Sequence, residues 1–459
     1  MASPDGRSLA LSARLRTRRG ASRVKGLHKL IQSARPHLPA EPLVRWASIF
    51  FTLCVGTFLI SLAASQTFLA LAALCYVAHI WRTKSLIRFL PIKVPLAIFC
   101  VWTVVSMFFA EEPAAGGFAI RKLVLFVILA LTLNTIVSIR HLEFLFQSLF
   151  VESALAGALG TVQFIEQYRR MGILHPHRIY RDMMLNRITG FMGHWMNFSG
   201  QQMLAFTALA TLLLFVWVSR KRRQPSPSFR FTGAAGWMVL ALAGLSILLS
   251  FTRGVWLGCF VAGLYLLARY FPRWIWALPV LALAGYFVAP HMVRERVNLA
   301  LHPWRDPALS IRFEMWGVGL KMMERHPLVG VGPNNIFATY PLYLPPGKTP
   351  QKGYHDHLHD NFIQFGAERG LPCLAAWVWM MLALGWHMLR IRRRIKTLAA
   401  SRWIADAAFA GWLAFLIEGF FEFNFGTSPV LMVILFVVST PFVLENLERA
   451  AGNSQRAGA

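Results

Sequence analysis

Residues 46–64 read WASIFFTLCVGTFLISLAA, and no charged side chain interrupts them. At about 1.5 Å of rise per residue, such a run covers most of the ~30 Å hydrocarbon core of a bilayer. A secretory signal could also carry an apolar run, and the LAAS at 62–65 has the small residues of a cleavage site. Against that stand a basic lead too long for a signal and a second apolar run that follows at once. The stretch therefore reads as the first of a series of membrane-spanning helices. The series continues at roughly 68–82, 94–110, 119–137, 143–165, 198–219, 233–251, 254–271, 274–290, 371–390, 404–422 and 427–445. The expected fold is an all-α polytopic membrane protein of about twelve transmembrane helices, with a large loop between the ninth and tenth. It divides into a basic tail (1–45), helices one to nine (46–290), the loop (291–370), helices ten to twelve (371–445) and a short C-terminal tail (446–459).

Composition supports this class. Hydrophobic residues make up 56% of the chain and charged residues only 15%, too few to cover a soluble domain. Lys and Arg number 47 against 20 Asp and Glu, a net charge of +27. On a soluble domain that excess would suggest nucleic acid, but here it lies in short clusters between apolar runs. The clusters are the tail (Arg14, Arg16, Arg18, Arg19, Arg23, Lys25, Lys29, Arg35), Arg82 to Lys93, Arg220 to Arg223, Arg269 with Arg273, and Arg390 to Lys396. All fall on one side by parity, which the positive-inside rule makes cytoplasmic, together with both termini. Cys54, Cys75, Cys100, Cys259 and Cys373 lie in or beside apolar runs without metal-like spacing and read as small core residues.

Two connections on the other side break the charge rule. Residues 166–197 hold Arg169, Arg170, Arg178, Arg181 and Arg187, and the long loop holds Arg294, Arg296, Arg305, Arg312, Lys321 and Arg325. Contacts with headgroups or acidic loop residues account for most of them, and anion binding for those inside motifs. Within the long loop, Ile311, Met315, Val318 and Met322 recur at helical spacing, which predicts an amphipathic helix ended by His326-Pro327.

Three polar segments gather on that outer face. NRITGFMGHWMNFSG (186–200) carries Arg187, His194 and Asn197; SFTRGVWLG (250–258) sets Arg253 in a tight turn; HDHLHDNFIQFGAERGLPC (355–373) carries His355, His357, His359 and Asn361. An arginine at the interface is costly unless it snorkels or meets an anion. The histidines, with Asp356 and Asp360, could ligate a metal, stand in a solvated loop, or supply one general base. With no His-Glu-x-x-His and no second cluster, the solvated loop is preferred over the metal site. There is no Asp-x-Asp, Walker or Rossmann pattern, so no nucleotide is expected. An outer-face enzyme must then receive its energy in the substrate, and a lipid-linked pyrophosphate sugar offers both a leaving group and an anion.

In order along the chain, RITGFMGHWMN, LSFTRGVWLG, SIRFEMWGVGLKMMERHPLVGVGPNNI and HDNFIQFGAERGLP resemble the O-antigen ligase and O-antigen polymerase superfamily. The resemblance covers the multi-span organisation and the large late periplasmic loop as well as the motifs. It implies a multi-pass protein of the bacterial inner membrane with a periplasmic active site and neither metal nor cofactor. The donor would be a polysaccharide on undecaprenyl pyrophosphate, and for a ligase the acceptor would be a hydroxyl of lipid A–core, in lipopolysaccharide biosynthesis. The family's histidine falls on His359, as the base that deprotonates the acceptor while the anomeric centre inverts. Its arginines fall on Arg187 and Arg253, which would grip the pyrophosphate, with Arg312 a further match. His357, His194, Asn197 and Asn361 are supporting candidates, and His357 lies close enough to be the base instead. Departures are Asp360 standing between His359 and Asn361, and Cys373 in place of a small residue.

Close alternatives are an O-antigen polymerase, or a ligase that moves glycans onto protein. A secondary transporter is the alternative of another class, with Glu152 and Glu418 inside spans as ion sites. No half-to-half symmetry favours it, and those two acids can equally satisfy polar partners within the bundle. A structural scaffold leaves the outer arginines and histidines unexplained.

Overall fold

The computed structural model describes residues 38–174, 179–227, 230–302, 307–350 and 356–457. The tail's basic residues before 38, with Arg178, Arg305 and His355, lie outside them. Among the described residues the chain is helical and has no strand. The main helices are α1 (Pro42–Val55), α2 (Leu62–Thr83), α3 (Lys93–Phe108), α4 (Gly117–Leu123), α5 (Val127–Thr135), α6 (Ile139–Leu174), α7 (Ile179–Leu185) and α8 (Trp195–Lys221). They continue with α9 (Ala234–Leu249), α10 (Arg253–Tyr270), α11 (Leu278–Val288), α12 (His291–Leu301), α13 (Pro307–Arg325), α14 (Asn361–Arg394), α15 (Trp403–Glu418) and α16 (Ser428–Ala457). Seven helical stretches among the described residues are long and apolar enough to cross a membrane, and α1, α3 and α9 are shorter apolar helices.

The run at 46–64 is not one helix. Pro42 and the Glu41 carboxylate, which accepts from Val44 N at 2.6 Å, start α1. Gly56 ends it, residues 57–60 turn, and Ser61 caps α2, which begins at Leu62 and not near 68. A broken helix among apolar neighbours needs internal partners for its backbone. The Glu152 carboxylate supplies one, accepting from Leu59 N at 2.8 Å, and Gln201 supplies the other, donating to Phe58 O at 2.8 Å. Glu152 therefore serves the break. The expected span at 119–137 falls largely within one helical stretch, Pro113–Thr135, which passes through a 3-10 turn at Val124–Phe126 between α4 and α5 without a break. At 274–290 a 3-10 stretch gives way to the eleven-residue α11, which reaches only about 16 Å and is too short to span alone.

α8, α15 and α16 form the centre and are buried nearly all round, as helices without a polar face must be. α10 lies close on α15 because Gly254 and Gly258, one turn apart, face it: a Cβ at Gly258 would meet the Ala414 carbonyl oxygen at 2.7 Å. The predicted amphipathic helix is α13, and Met315, Val318 and Met322 are buried on one face. That face packs on α14 with Leu358 and Ile363, where a Cβ at Gly319 would intrude on both.

α14 kinks at Gly370 (φ 80°, ψ 171°), a region open essentially to glycine alone. The kink would orphan two carbonyls. Leu371 N–H turns away to Pro327 O at 2.7 Å, and Pro372 has no N–H. The GVGPNN turn fills the gap: Val331 N donates to Ala367 O at 2.9 Å and Gly332 N to Glu368 O at 2.8 Å. The backbones approach so closely that a Cβ on Gly330 would sit 2.3 Å from the Glu368 carbonyl carbon. Two motifs far apart in sequence are thus halves of one joint, and it fixes the start of α14.

Candidate active site

Just before α14, Leu358 is buried against α13, its N–H donates to Gln364 Oε1 at 2.7 Å, and the Asp360 carboxylate caps the helix through Ile363 N at 2.9 Å. His359 stands between these two anchors with φ 50°. A left-handed histidine costs roughly 1–2 kcal/mol, so its neighbours and its own side-chain bond must hold it.

That bond goes to a residue the sequence reading passed over. Glu422, in the 419–427 connection between α15 and α16, is buried at 4% exposure. Its carboxylate accepts from His359 Nδ1 at 2.9 Å through one oxygen and from His357 Nε2 at 2.9 Å through the other. The two rings lie 4.1 Å apart, and the Arg312 guanidinium stands 4.0 Å from the same carboxylate. His357 and His359 are therefore not in a solvated loop, and for these two the expectation that preferred one is corrected. A carboxylate 63 residues away in sequence draws them inward, and no local spacing signals it.

The electrostatics separate the two rings. Burial raises the cost of the Glu422 charge, but His359 and His357 overcome it and hold the carboxyl well below its ordinary value. Burial, opposed by Glu422, leaves His359 below the ordinary 6.5, so it stays neutral at pH 7. On His357 burial pulls the same way, but the Glu422 hydrogen bond and charge win, and this imidazole is raised. His359, bound through Nδ1, keeps Nε2 for a proton from outside. The ligand atoms of His357, His359 and Glu422 also lie within 4.8 Å of one another, an arrangement that could hold a metal ion.

Asn361 holds the two halves in register. Its N–H donates to Gly419 O at 2.8 Å, its amide to Asn424 Oδ1 at 2.6 Å, and its oxygen accepts from Phe425 N at 3.3 Å. It pins the Glu422 connection to the start of α14. The Glu418 carboxylate accepts from the Asn424 amide in the same joint and so serves the fold.

His194 caps α8 and stacks on Trp195 with centroids 4.1 Å apart. Burial lowers its pKa, and the charge of Glu422 opposes that shift. Arg187 donates through Nε to Met184 O at 3.0 Å and lies over the Trp195 ring at 4.9 Å. Arg253 opens α10 next to Gly254, where a Cβ would meet Phe421 Cβ at 3.2 Å, one residue before Glu422. Asn197 lines a separate cavity of about 380 Å³ with Phe191, Met192, the 426–429 turn and Lys122, whose ammonium donates to Gly426 O. Lys122 was also missed, although a lysine inside the apolar 119–137 run is itself a signal.

No curated protein matches the chain. The family model described as O-Antigen ligase matches residues 238–378, a segment that contains Arg253, Arg312, His357, His359 and Asn361 and excludes Arg187, His194, Asn197 and Glu422. Over residues 238–378, about a third of its length, the chain is thus similar to the O-antigen ligase family.

Proposed function

We propose that the protein is an O-antigen ligase, which moves a polysaccharide from undecaprenyl pyrophosphate to a sugar hydroxyl of lipid A–core at the periplasmic face of the inner membrane. The observation that carries this is the His359–Glu422 pair, a neutral imidazole oriented by a buried anion, with the Arg312 guanidinium 4.0 Å from that anion. The acceptor oxygen attacks the anomeric carbon and its proton passes to His359 Nε2. The bond from that carbon to the pyrophosphate oxygen breaks, and the configuration inverts. Glu422 holds the ring and stabilises the imidazolium as it forms. Arg187 and Arg253 take up the charge of the departing pyrophosphate, with Arg312 shared between it and Glu422. The outer-face grouping of these residues favours an enzyme over a transporter, which would want its polar sites near the midplane.

The test uses purified protein in detergent with the lipid-linked polysaccharide and lipid A–core, no nucleotide or added metal, and EDTA present. His359→Ala and Arg253→Ala run beside it. Transfer to lipid A–core that is lost in both variants supports the reading. Growth of the lipid-linked chain alone makes the protein a polymerase. Transfer abolished by EDTA would assign the His357–His359–Glu422 set to a metal. No transfer by folded protein with authentic lipids returns the question to transport.

A further inference from the structure

At the end of α14 opposite Asp360, some thirty residues down the helix, a crevice of about 750 Å³ opens between residues 87–95, the last turns of α14 and the far end of α16. Arg88, Lys93, Arg390, Arg394 and Arg449 line it, with a single carboxylate, Glu445. Glu445 is shared by Arg394 at 3.4 Å and Arg449 at 2.9 Å. Among the described residues no ion pair is found for Arg88, Lys93 or Arg390. The walls are apolar: Ile87, Val94 and Trp379 are 46%, 59% and 51% exposed, and Phe442 also contributes.

We propose that this crevice binds an anionic phospholipid carrying two phosphodiester groups, of the cardiolipin kind. Topology rules explain why cations lie at this end of the helices, but not why three separate segments bring five of them around one apolar-walled crevice. Five cations against one carboxylate leave a surplus that suits two phosphates. The exposed Ile87, Val94 and Trp379 give acyl chains a surface that a free phosphate would leave bare. Because His359 stands just before the first turn of α14 and this crevice lies at the helix's other end, a lipid here braces the helix next to the base. The binding itself does not depend on the reaction proposed above.

The test is lipid binding by the full chain in detergent, read by native mass spectrometry and by thermal protection. Cardiolipin is compared with zwitterionic phosphatidylethanolamine and with inorganic phosphate, for the wild type and for Arg88→Gln/Lys93→Gln/Arg390→Gln. Cardiolipin should bind at least about tenfold more tightly than phosphatidylethanolamine, and the triple variant should lose that preference. If the triple variant does not fold, Arg390→Gln alone should weaken cardiolipin severalfold. Equal binding of both lipids, an unchanged preference in the folded variants, or protection by phosphate equal to that by cardiolipin would overturn the proposal.

Discussion

Replacing Glu422 by Gln keeps the side-chain shape and removes the charge that two imidazoles share. In the native site one carboxylate accepts from His359 Nδ1 and His357 Nε2, both at 2.9 Å. A hydrogen bond to a charged group is worth about 1.5–3 kcal/mol. Glu422 touches His359 and no reacting atom, so it is a positioning residue. If one such bond to His359 is lost in the transition state, kcat/KM should fall by roughly 10- to 150-fold, at 1.36 kcal/mol per decade. The assay is initial-rate transfer of lipid-linked polysaccharide to lipid A–core, across pH and with the variant's melting temperature as a fold control. The pH profile separates electrostatics from damage. In the wild type the neutral imidazole is lost only below the ordinary 6.5, since burial holds His359 lower. Glu422 opposes that shift, so removing its charge makes the imidazolium still less favourable and moves the acid limb further down. Glu422→Asp should recover part of the rate. A folded Glu422→Gln enzyme within twofold of wild type, or an acid limb moved upward, would refute the reasoning.

Asn361→Ala removes the pin between α14 and the Glu422 connection, and should lower kcat more than it changes the donor KM, checked by steady-state kinetics on folded protein. Gly370→Ala forces a non-glycine into φ 80° and a Cβ 2.1 Å from Leu328 O, so it should destabilise by about 3 kcal/mol or more, seen as a lowered melting temperature. Arg253→Ala should cost about 10²–10³ in kcat if the guanidinium meets the leaving pyrophosphate, and far less if it only anchors the helix. Glu152→Leu leaves the Leu59 N–H without its partner and should destabilise by about 1–3 kcal/mol, with the catalytic pH profile unchanged in the surviving folded enzyme.

Helical class, membrane insertion and the amphipathic helix at 307–325 were legible in the sequence, because apolar length and 3.6-residue periodicity are local quantities. The motifs with Arg187, Arg253 and His359 were legible as well, because they are contiguous strings. The continuity of the helices was not. The 46–64 run breaks because Glu152 and Gln201, distant in sequence, satisfy the freed backbone, and hydropathy cannot register a remote hydrogen bond. Likewise GVGPNN and RGLPC reveal themselves as one joint only when the carbonyls freed at Gly370 meet their donors. The histidines offered three readings in sequence. Only the tertiary structure set the surroundings of His357 and His359, by bringing Glu422 against both, because a pKa and a proton's direction depend on what stands within a few ångströms and not on what stands a few residues away.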